Sequence, residues 1–209
     1  YDTIENARRI LLEEVNSAND NPIIDVDRKQ VYHGGNFHGD YVALEMDKLK
    51  LVITKLSMLA ERQLNYLLNN KLNNILPPFV NLGKLGLNFG MQGAQFSAVS
   101  TTAENQMLST SMYIHSIPNN NDNQDIVSMG TNSANTTKTV IDNAFELLAV
   151  EVVTIMQALR YLQFNGNLSG KTKEKVEIFK NIIPEIKDDI PLSSTLETVR
   201  KYLKANEAY

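Results

Sequence analysis

Apolar residues recur every three or four positions over three long stretches of the chain, and this spacing predicts helices. Over 42–68, one stripe follows a single helical face and consists of Met46, Leu49, Ile53, Leu56, Ala60 and Leu67. A second stripe on the same helix consists of Val52, Leu59 and Tyr66. Two apolar stripes on one helix predict two neighbours to pack against, as in the interior of a helix bundle or of an oligomer.

The other two stretches differ in the kind of apolar surface they offer. Over 136–162 the residues are apolar on almost every side of the predicted helix, so we expect that helix to be central. Over 90–111 small residues predominate, which lets helix backbones approach closely. The small residues of this stretch include Gly93, Ala94, Ser97, Ala98, Ser100 and Ala103.

The remaining segments predict little regular structure beyond helices. Short strand-like runs at 23–26 and 31–32 flank a polar turn and predict a small hairpin. Pro77 and Pro78 are expected to end the first long helix. We therefore predict an all-α fold, a long antiparallel helix bundle with at most one small hairpin near the N-terminus. Because Lys, Glu and Asp become frequent after Gly166, residues 1–165 are expected to form the central bundle and 166–209 a short peripheral helical tail.

Charge and composition narrow the classes of partner. The 209-residue chain carries a formal net charge of -4 and no dense run of Lys or Arg, which argues against a nucleic-acid partner and an anionic membrane surface. It contains no Cys, so disulfides, thiolate metal sites and a Cys nucleophile are excluded. The absence of Cys fits a reducing compartment, so we expect a cytoplasmic location. Residues 1–15 show no basic region followed by an apolar block, so no signal peptide is visible there.

Three polar segments carry the functional information. The first is NSANDNPIID at 16–25, followed by HGGNFHG at 33–39; the second is GLNFGMQGAQ at 86–95, and the third is NQDIVSMG at 123–130. In this order, and joined by long apolar helices, they resemble the family of histidine, phenylalanine and tyrosine ammonia-lyases and the related aminomutases. GGNFHG and NQDIVSMG are the specific signals, and the resemblance spans roughly 4–163.

The resemblance implies a particular chemistry. Enzymes of this family use a 4-methylideneimidazol-5-one (MIO) electrophile, formed from an internal Ala-Ser-Gly, to activate an aromatic amino acid for loss of ammonia. The 209 residues contain no Ala-Ser-Gly, and Leu168-Ser169-Gly170 has the wrong first residue. The family's catalytic Tyr loop and its Tyr-Ser-Leu-Arg-type segment are also absent. The resemblance thus implies the C-terminal portion of a homotetrameric ammonia-lyase, inactive without its N-terminal half.

The GGNFHG segment supplies two candidate pocket residues. Phe37 matches the family Phe that packs beside the electrophile and the substrate ring; the alternative is ordinary packing in a loop. Asn36 could donate a hydrogen bond to the cofactor ring or satisfy backbone groups of its own turn. His38 is a candidate acid or base by its residue type. Because relatives carry either His or Gln there, we expect it to make a structural hydrogen bond.

Gln124 bears on the choice of substrate. Histidine-specific members read Gln-Glu-Asp-His-Val-Ser-Met, which places Glu at the position of Gln124, and a neutral amide there suits a phenylalanine or tyrosine ring. Gln92 stands where plant phenylalanine lyases carry Lys, and Asn120 where they carry Glu. Asn123 and Gln124 could instead cap the start of a helix. The predicted substrate-pocket residues are Phe37, Asn36, Gln92, Asn120, Asn123 and Gln124.

Several alternatives stay open at this point. A histidine ammonia-lyase that forms urocanate, or an aromatic 2,3-aminomutase, fits the same motifs. A non-catalytic helical assembly scaffold fits the composition alone. The fumarase and argininosuccinate lyase group would require a Gly-Ser-Ser-x-Met-Pro-x-Lys-type loop, which does not occur. His33 and His115 lack acidic or His partners at metal-ligand spacing, so no metal site is expected.

Overall fold

Helices make up most of the computed structural model, which describes residues 1–164 and 166–206, with Asn36 described by its backbone alone. The helices are α1 Asp2–Val15, α2 Asp40–Leu68, α3 Asn70–Asn73, α4 Gln92–Leu108, α5 Gly130–Tyr161, α6 Gly170–Ile182 and α7 Ser193–Ala205. Two 3-10 helices, Asn36–His38 and Pro78–Val80, and two strands, β1 Ile23–Asp25 and β2 Gln30–Tyr32, complete the described elements. The all-α prediction is confirmed.

The predicted hairpin is present. β1 and β2 pair antiparallel, with Ile23 opposite Tyr32 and Asp25 opposite Gln30. Among the described residues, these two strands form the only sheet.

The long helices agree with the predicted stretches, apart from the start of α5 and the residue that ends α2. α5 begins at Gly130, six residues before the apolar periodicity. Its first turns bury polar side chains instead: Ser133 donates a hydrogen bond to the Ala43 carbonyl (3.0 Å), and Thr137 donates to the Met46 carbonyl (2.9 Å). The spacing of apolar residues cannot indicate a helix face that is held in place by hydrogen bonds instead of apolar contacts.

The end of α2 differs from the prediction that Pro77 and Pro78 terminate it. The helix ends at Leu68 because the buried side chain of Asn73 captures its last carbonyls. The amide nitrogen of Asn73 donates to the carbonyls of Tyr66 (2.8 Å) and Leu67 (3.1 Å). Its carbonyl oxygen accepts from the backbone amides of Ile75 (2.9 Å) and Leu76 (2.8 Å). One side chain therefore satisfies both the helix end and the turn after it.

The chain folds as two compact units. The first unit contains Tyr1–Thr54 and Asn105–Ile141, and the second contains Lys55–Glu104 and Asp142–Tyr209. Each of α2, α4 and α5 contributes residues to both units. The predicted domain boundary at residue 165 stays a prediction.

The second unit is built around an apolar core. Its centre contains Leu64, Met91 and Val153, each almost completely buried. α7 and the α6 region contribute Val199 and Ile183 to this core, so the helices of the predicted tail also supply buried side chains.

The interior of the first unit is unusually polar. Apolar Ala43 and Met46 are buried there beside Asp47 and Lys50. In α1 the buried residue is Ala7, and the Asn6 side chain donates a hydrogen bond to the Glu45 carboxylate (3.1 Å). Among the described residues, no helix has the length and hydropathy to cross a bilayer.

Candidate functional site

The GGNFHG segment forms the approach to α2. Its 3-10 helix Asn36–His38 is followed by Gly39, whose φ of 66° is left-handed and favours glycine, and α2 begins at the next residue. The Phe37 ring is 38% exposed and lies beside the His38 ring, with 4.2 Å between the ring centroids. Phe37 therefore presents an apolar face at the start of a long helix, and the side chain of Asn36 lies outside the described part of the chain.

A tight turn brings three predicted pocket residues together. The backbones of Asn119 and Gln124 pair across it, with the Asn119 amide donating to the Gln124 carbonyl (3.0 Å). Asn120, at the tip of this turn, has a φ of 52°, a conformation that Asn tolerates well. The amide of Asn123 donates to the Asn120 carbonyl (3.2 Å). Asn120, Asn123 and Gln124 thus lie in one turn.

The side chains of this turn do not cap the next helix. α5 begins at Gly130, six residues beyond Gln124. Within the described part of the chain, the side-chain amides of Asn120, Asn123 and Gln124 make no hydrogen bond, so the geometry gives no support to a capping role.

Within the first unit, two contacts join the residues that follow this turn to the GGNFHG segment. The Ser128 hydroxyl donates to the backbone carbonyl of His38. The start of α5 also approaches the start of α2 closely, since a Cβ at Gly130 would lie 3.4 Å from the Gly39 carbonyl oxygen. The structure therefore brings the NQDIVSMG segment against the GGNFHG segment. At His38, the acceptor of this hydrogen bond is the backbone carbonyl and not the imidazole side chain.

Gln92 belongs to the second unit, where it is the first residue of α4. The turn before it depends on Gly90, which has a φ of 59° and no room for a Cβ: that atom would lie 2.9 Å from both the Asn81 Cα and the Phe79 carbonyl oxygen. The Asp189 carboxylate accepts from the backbone amide of Gly90 (3.2 Å). Gln92 is thus placed on a tightly held helix start.

A buried ionic cluster in the first unit escaped the sequence analysis. The Asp47 carboxylate is 2.8 Å from the Lys50 ammonium and accepts hydrogen bonds from Ser111 Oγ (2.6 Å), Ser133 Oγ (2.6 Å) and the Tyr113 backbone amide (2.8 Å). The sequence contained one signal for this cluster: Asp47 and Lys50 carry opposite charges three residues apart, on a helix predicted to be buried on two sides.

The charge state of Asp47 follows from its surroundings. Burial alone would raise the pKa of Asp47, but the Lys50 ammonium, the Ser111 and Ser133 hydroxyls and the Tyr113 amide outweigh it and lower the pKa to about 2. Asp47 is therefore a carboxylate at neutral pH. In the described residues, no group of three or more His, Asp or Glu side chains could hold a metal ion.

The chain matches the sequence model described as aromatic amino acid lyase over residues 1–181. The match extends beyond the 4–163 expected from the motifs and includes most of α6. Tyrosine 2,3-aminomutase from Chondromyces crocatus is 38% identical over 97% of this chain, and tyrosine ammonia-lyase from Cupriavidus metallidurans is 36% identical over 92%. The chain covers 38% of the first protein and 35% of the second.

The fold has a close counterpart among solved structures. The crystal structure of histidine ammonia-lyase from Trypanosoma cruzi superposes with a TM-score of 0.89 at 30% identity, covering 98% of this chain and 40% of that one. The chain thus spans little more than a third of the length of these relatives. The family model, the relatives and the fold all agree with the family that the order of the three motifs indicated. The chain therefore belongs to the aromatic amino acid lyase family.

Proposed function

We propose that this chain forms the side-chain end of the substrate pocket in an ammonia-lyase that converts phenylalanine or tyrosine into the arylacrylate. The observation that carries the proposal is the juxtaposition, within one unit, of the Phe37 segment and the turn bearing Gln124, joined by the Ser128–His38 hydrogen bond. An exposed aromatic ring and an unpaired neutral amide are groups that receive an uncharged aromatic side chain.

Each residue has a definite task in this proposal. Phe37 supplies an apolar face that excludes water and orients the substrate ring. Gln124, with Asn123, borders the far end of that ring without bringing a charge to it. Asn120 is proposed as a neutral pocket residue on the resemblance to the family, and Gln92, which belongs to the second unit, stays a prediction from that resemblance.

The family's MIO group supplies the electrophile that makes loss of ammonia feasible. The exposed ring of Phe37 fits a planar heterocycle beside it, and Asn36 is the neighbouring candidate donor. The Ala-Ser-Gly precursor is absent from these 209 residues, so the N-terminal half of the enzyme would provide it.

The same pocket would serve an aromatic 2,3-aminomutase, and the 38% identity to a tyrosine 2,3-aminomutase favours this second candidate. A lyase releases the arylacrylate, whereas an aminomutase returns the amino group to the neighbouring carbon. Product analysis by chromatography separates the two. Histidine ammonia-lyase remains the third candidate.

We further propose a homotetramer in the cytoplasm. In the second unit, α2 exposes Leu59 (55%) and Tyr66 (51%), and α5 exposes Leu148 (37%) and Ile155 (39%). Apolar side chains exposed along long helices are typical of surfaces that pair with other chains.

Gln124→Glu, made in the enzyme completed with an N-terminal half, is expected to move substrate preference toward histidine. An imidazole without a carboxylate partner loses about 1–3 kcal/mol in a dry pocket, roughly ten- to a hundredfold in discrimination. The measurement is kcat/KM for phenylalanine, tyrosine and histidine. Gln30→Glu on the exposed hairpin is the matched control and should change none of the ratios. Equal changes for all three substrates would show that Gln124 does not contact the side chain.

The 209-residue chain alone is expected to be inactive. It lacks the MIO precursor, and binding cannot replace electrophilic activation. The purified chain is incubated with each of the three amino acids, and release of cinnamate, coumarate or urocanate is followed by ultraviolet absorbance, with the completed enzyme as positive control. Release above the buffer blank contradicts the assignment of the chain as a pocket wall.

A further inference from the structure

The loop that carries the candidate pocket turn is tied at both ends to one side chain. We call residues 109–129, between α4 and α5, the pocket loop. Near its start, the Ser111 hydroxyl (2.6 Å) and the Tyr113 backbone amide (2.8 Å) both donate to Oδ2 of Asp47. Just past its end, in the first turn of α5, the Ser133 hydroxyl donates to Oδ1 of Asp47 (2.6 Å). A single carboxylate on α2 therefore spans the base of the pocket loop.

Burial makes this arrangement hard to replace with water. Asp47 is 3% exposed, and both Lys50 and Ser133 are fully buried. The Lys50 ammonium, 2.8 Å from Oδ1 of Asp47, also donates to the Thr136 hydroxyl on α5 (3.3 Å). Hydrogen bonds to an ionised group in a buried site are stronger than those between neutral groups.

If Asp47 served only to form a buried ion pair with Lys50, its other hydrogen-bond donors would not need to come from the pocket loop and α5. Lys50 alone would neutralise Asp47, yet the other three donors to the carboxylate come from the pocket loop and the helix that follows it. A neighbouring contact repeats the pattern, because Thr54 on α2 and Ser109 at the loop start are hydrogen-bonded at 2.6 Å. α2 thus holds the loop through polar groups spaced along one side.

We propose that Asp47 is a positioning residue for substrate selectivity. By fixing both ends of the pocket loop, it sets where the turn with Asn120 and Gln124 stands relative to Phe37, which lies in the 3-10 helix just before α2. This inference rests on the proposed function, since it assumes that the turn contacts the substrate.

The order of the loop can be measured in the 209-residue chain by amide hydrogen exchange with mass spectrometry. Ser111→Ala removes one loop tether and leaves the Asp47–Lys50 pair intact, so the chain should stay folded. Exchange over 111–129 is expected to become roughly tenfold faster, as for loss of one hydrogen bond to a charged group. Exchange in α7 should not change. Thr110→Ala is the matched control, because the Thr110 hydroxyl donates to the Met107 carbonyl in the last turn of α4 (3.3 Å) and not to Asp47.

The consequence for selectivity is measured in the completed enzyme. Ser111→Ala is expected to lower the ratio of kcat/KM for phenylalanine to that for histidine several-fold, mainly through KM, while Ser111→Thr, which keeps the hydroxyl, restores the ratio. Unchanged loop exchange, or faster exchange with an unchanged ratio, overturns the role of Asp47. Failure of the proposed function is seen separately, when Gln124→Glu changes all three substrates equally.

Discussion

Lys50→Ala is expected to lower the free energy of unfolding by about 3–5 kcal/mol. Lys50 is fully buried, and its ammonium is the positive charge that faces the Asp47 carboxylate at 2.8 Å. Removing it leaves a buried negative charge without its counter-ion and a cavity where the alkyl stem lay. Three hydrogen bonds from Ser111, Ser133 and Tyr113 soften this loss without neutralising the charge.

Urea unfolding at pH 7, followed by circular dichroism, measures this change. Lys50→Met keeps most of the side-chain volume and should retain most of the loss, which separates charge from packing. Lys180→Ala is the control: its ion pair with Glu177 has side chains 51% and 57% exposed, and such pairs contribute about 0–1 kcal/mol. A Lys50→Met chain as stable as the original would mean that the buried carboxylate tolerates the loss of its partner.

Asn73→Asp is expected to cost about 3–5 kcal/mol at pH 7 although it scarcely changes the shape of the side chain. The amide nitrogen of Asn73 faces the carbonyl oxygens of Tyr66, Leu67 and Asn69, at 2.8, 3.1 and 3.0 Å. A carboxylate oxygen in its place would repel all three. The bonds accepted from Ile75 and Leu76 would survive, so the effect isolates the lost donor.

The same substitution four residues earlier provides the control. The Asn69 side chain only accepts, from the backbone amide of Lys71 (3.0 Å) at the start of α3, where a carboxylate is equally suited. Asn69→Asp should therefore change stability by less than about 0.5 kcal/mol. Burial and the facing carbonyls are expected to raise the pKa of the carboxyl introduced by Asn73→Asp. Part of its loss should then disappear at acidic pH, as protonation restores a donor. Equal effects of the two substitutions at pH 7 would contradict the assignment of the Asn73 amide orientation.

The candidate site was partly predictable. GGNFHG and NQDIVSMG are local motifs, and they were sufficient to identify the family that the comparisons then showed. That Asn120, Asn123 and Gln124 share one turn depends on backbone pairing between Asn119 and Gln124, which the residue types alone do not specify. The six proposed pocket residues stay proposals, and Gln92 stands in a different compact unit from the others.

Hydrophobic periodicity determined the long helices, because the spacing of apolar residues follows from the burial of a helix face. The hairpin, whose second strand is exposed throughout, was indicated instead by two strand-like runs around a polar turn. The spacing of apolar residues does not show which polar side chains hold the helices in place by hydrogen bonds. The early start of α5, the end of α2 at Asn73 and the Asp47–Lys50 cluster all depend on hydrogen bonds between residues distant in sequence, or between a side chain and backbone carbonyls. A polar residue has the same local signature whether it faces water or a buried partner, and only the tertiary structure decides which of the two it meets.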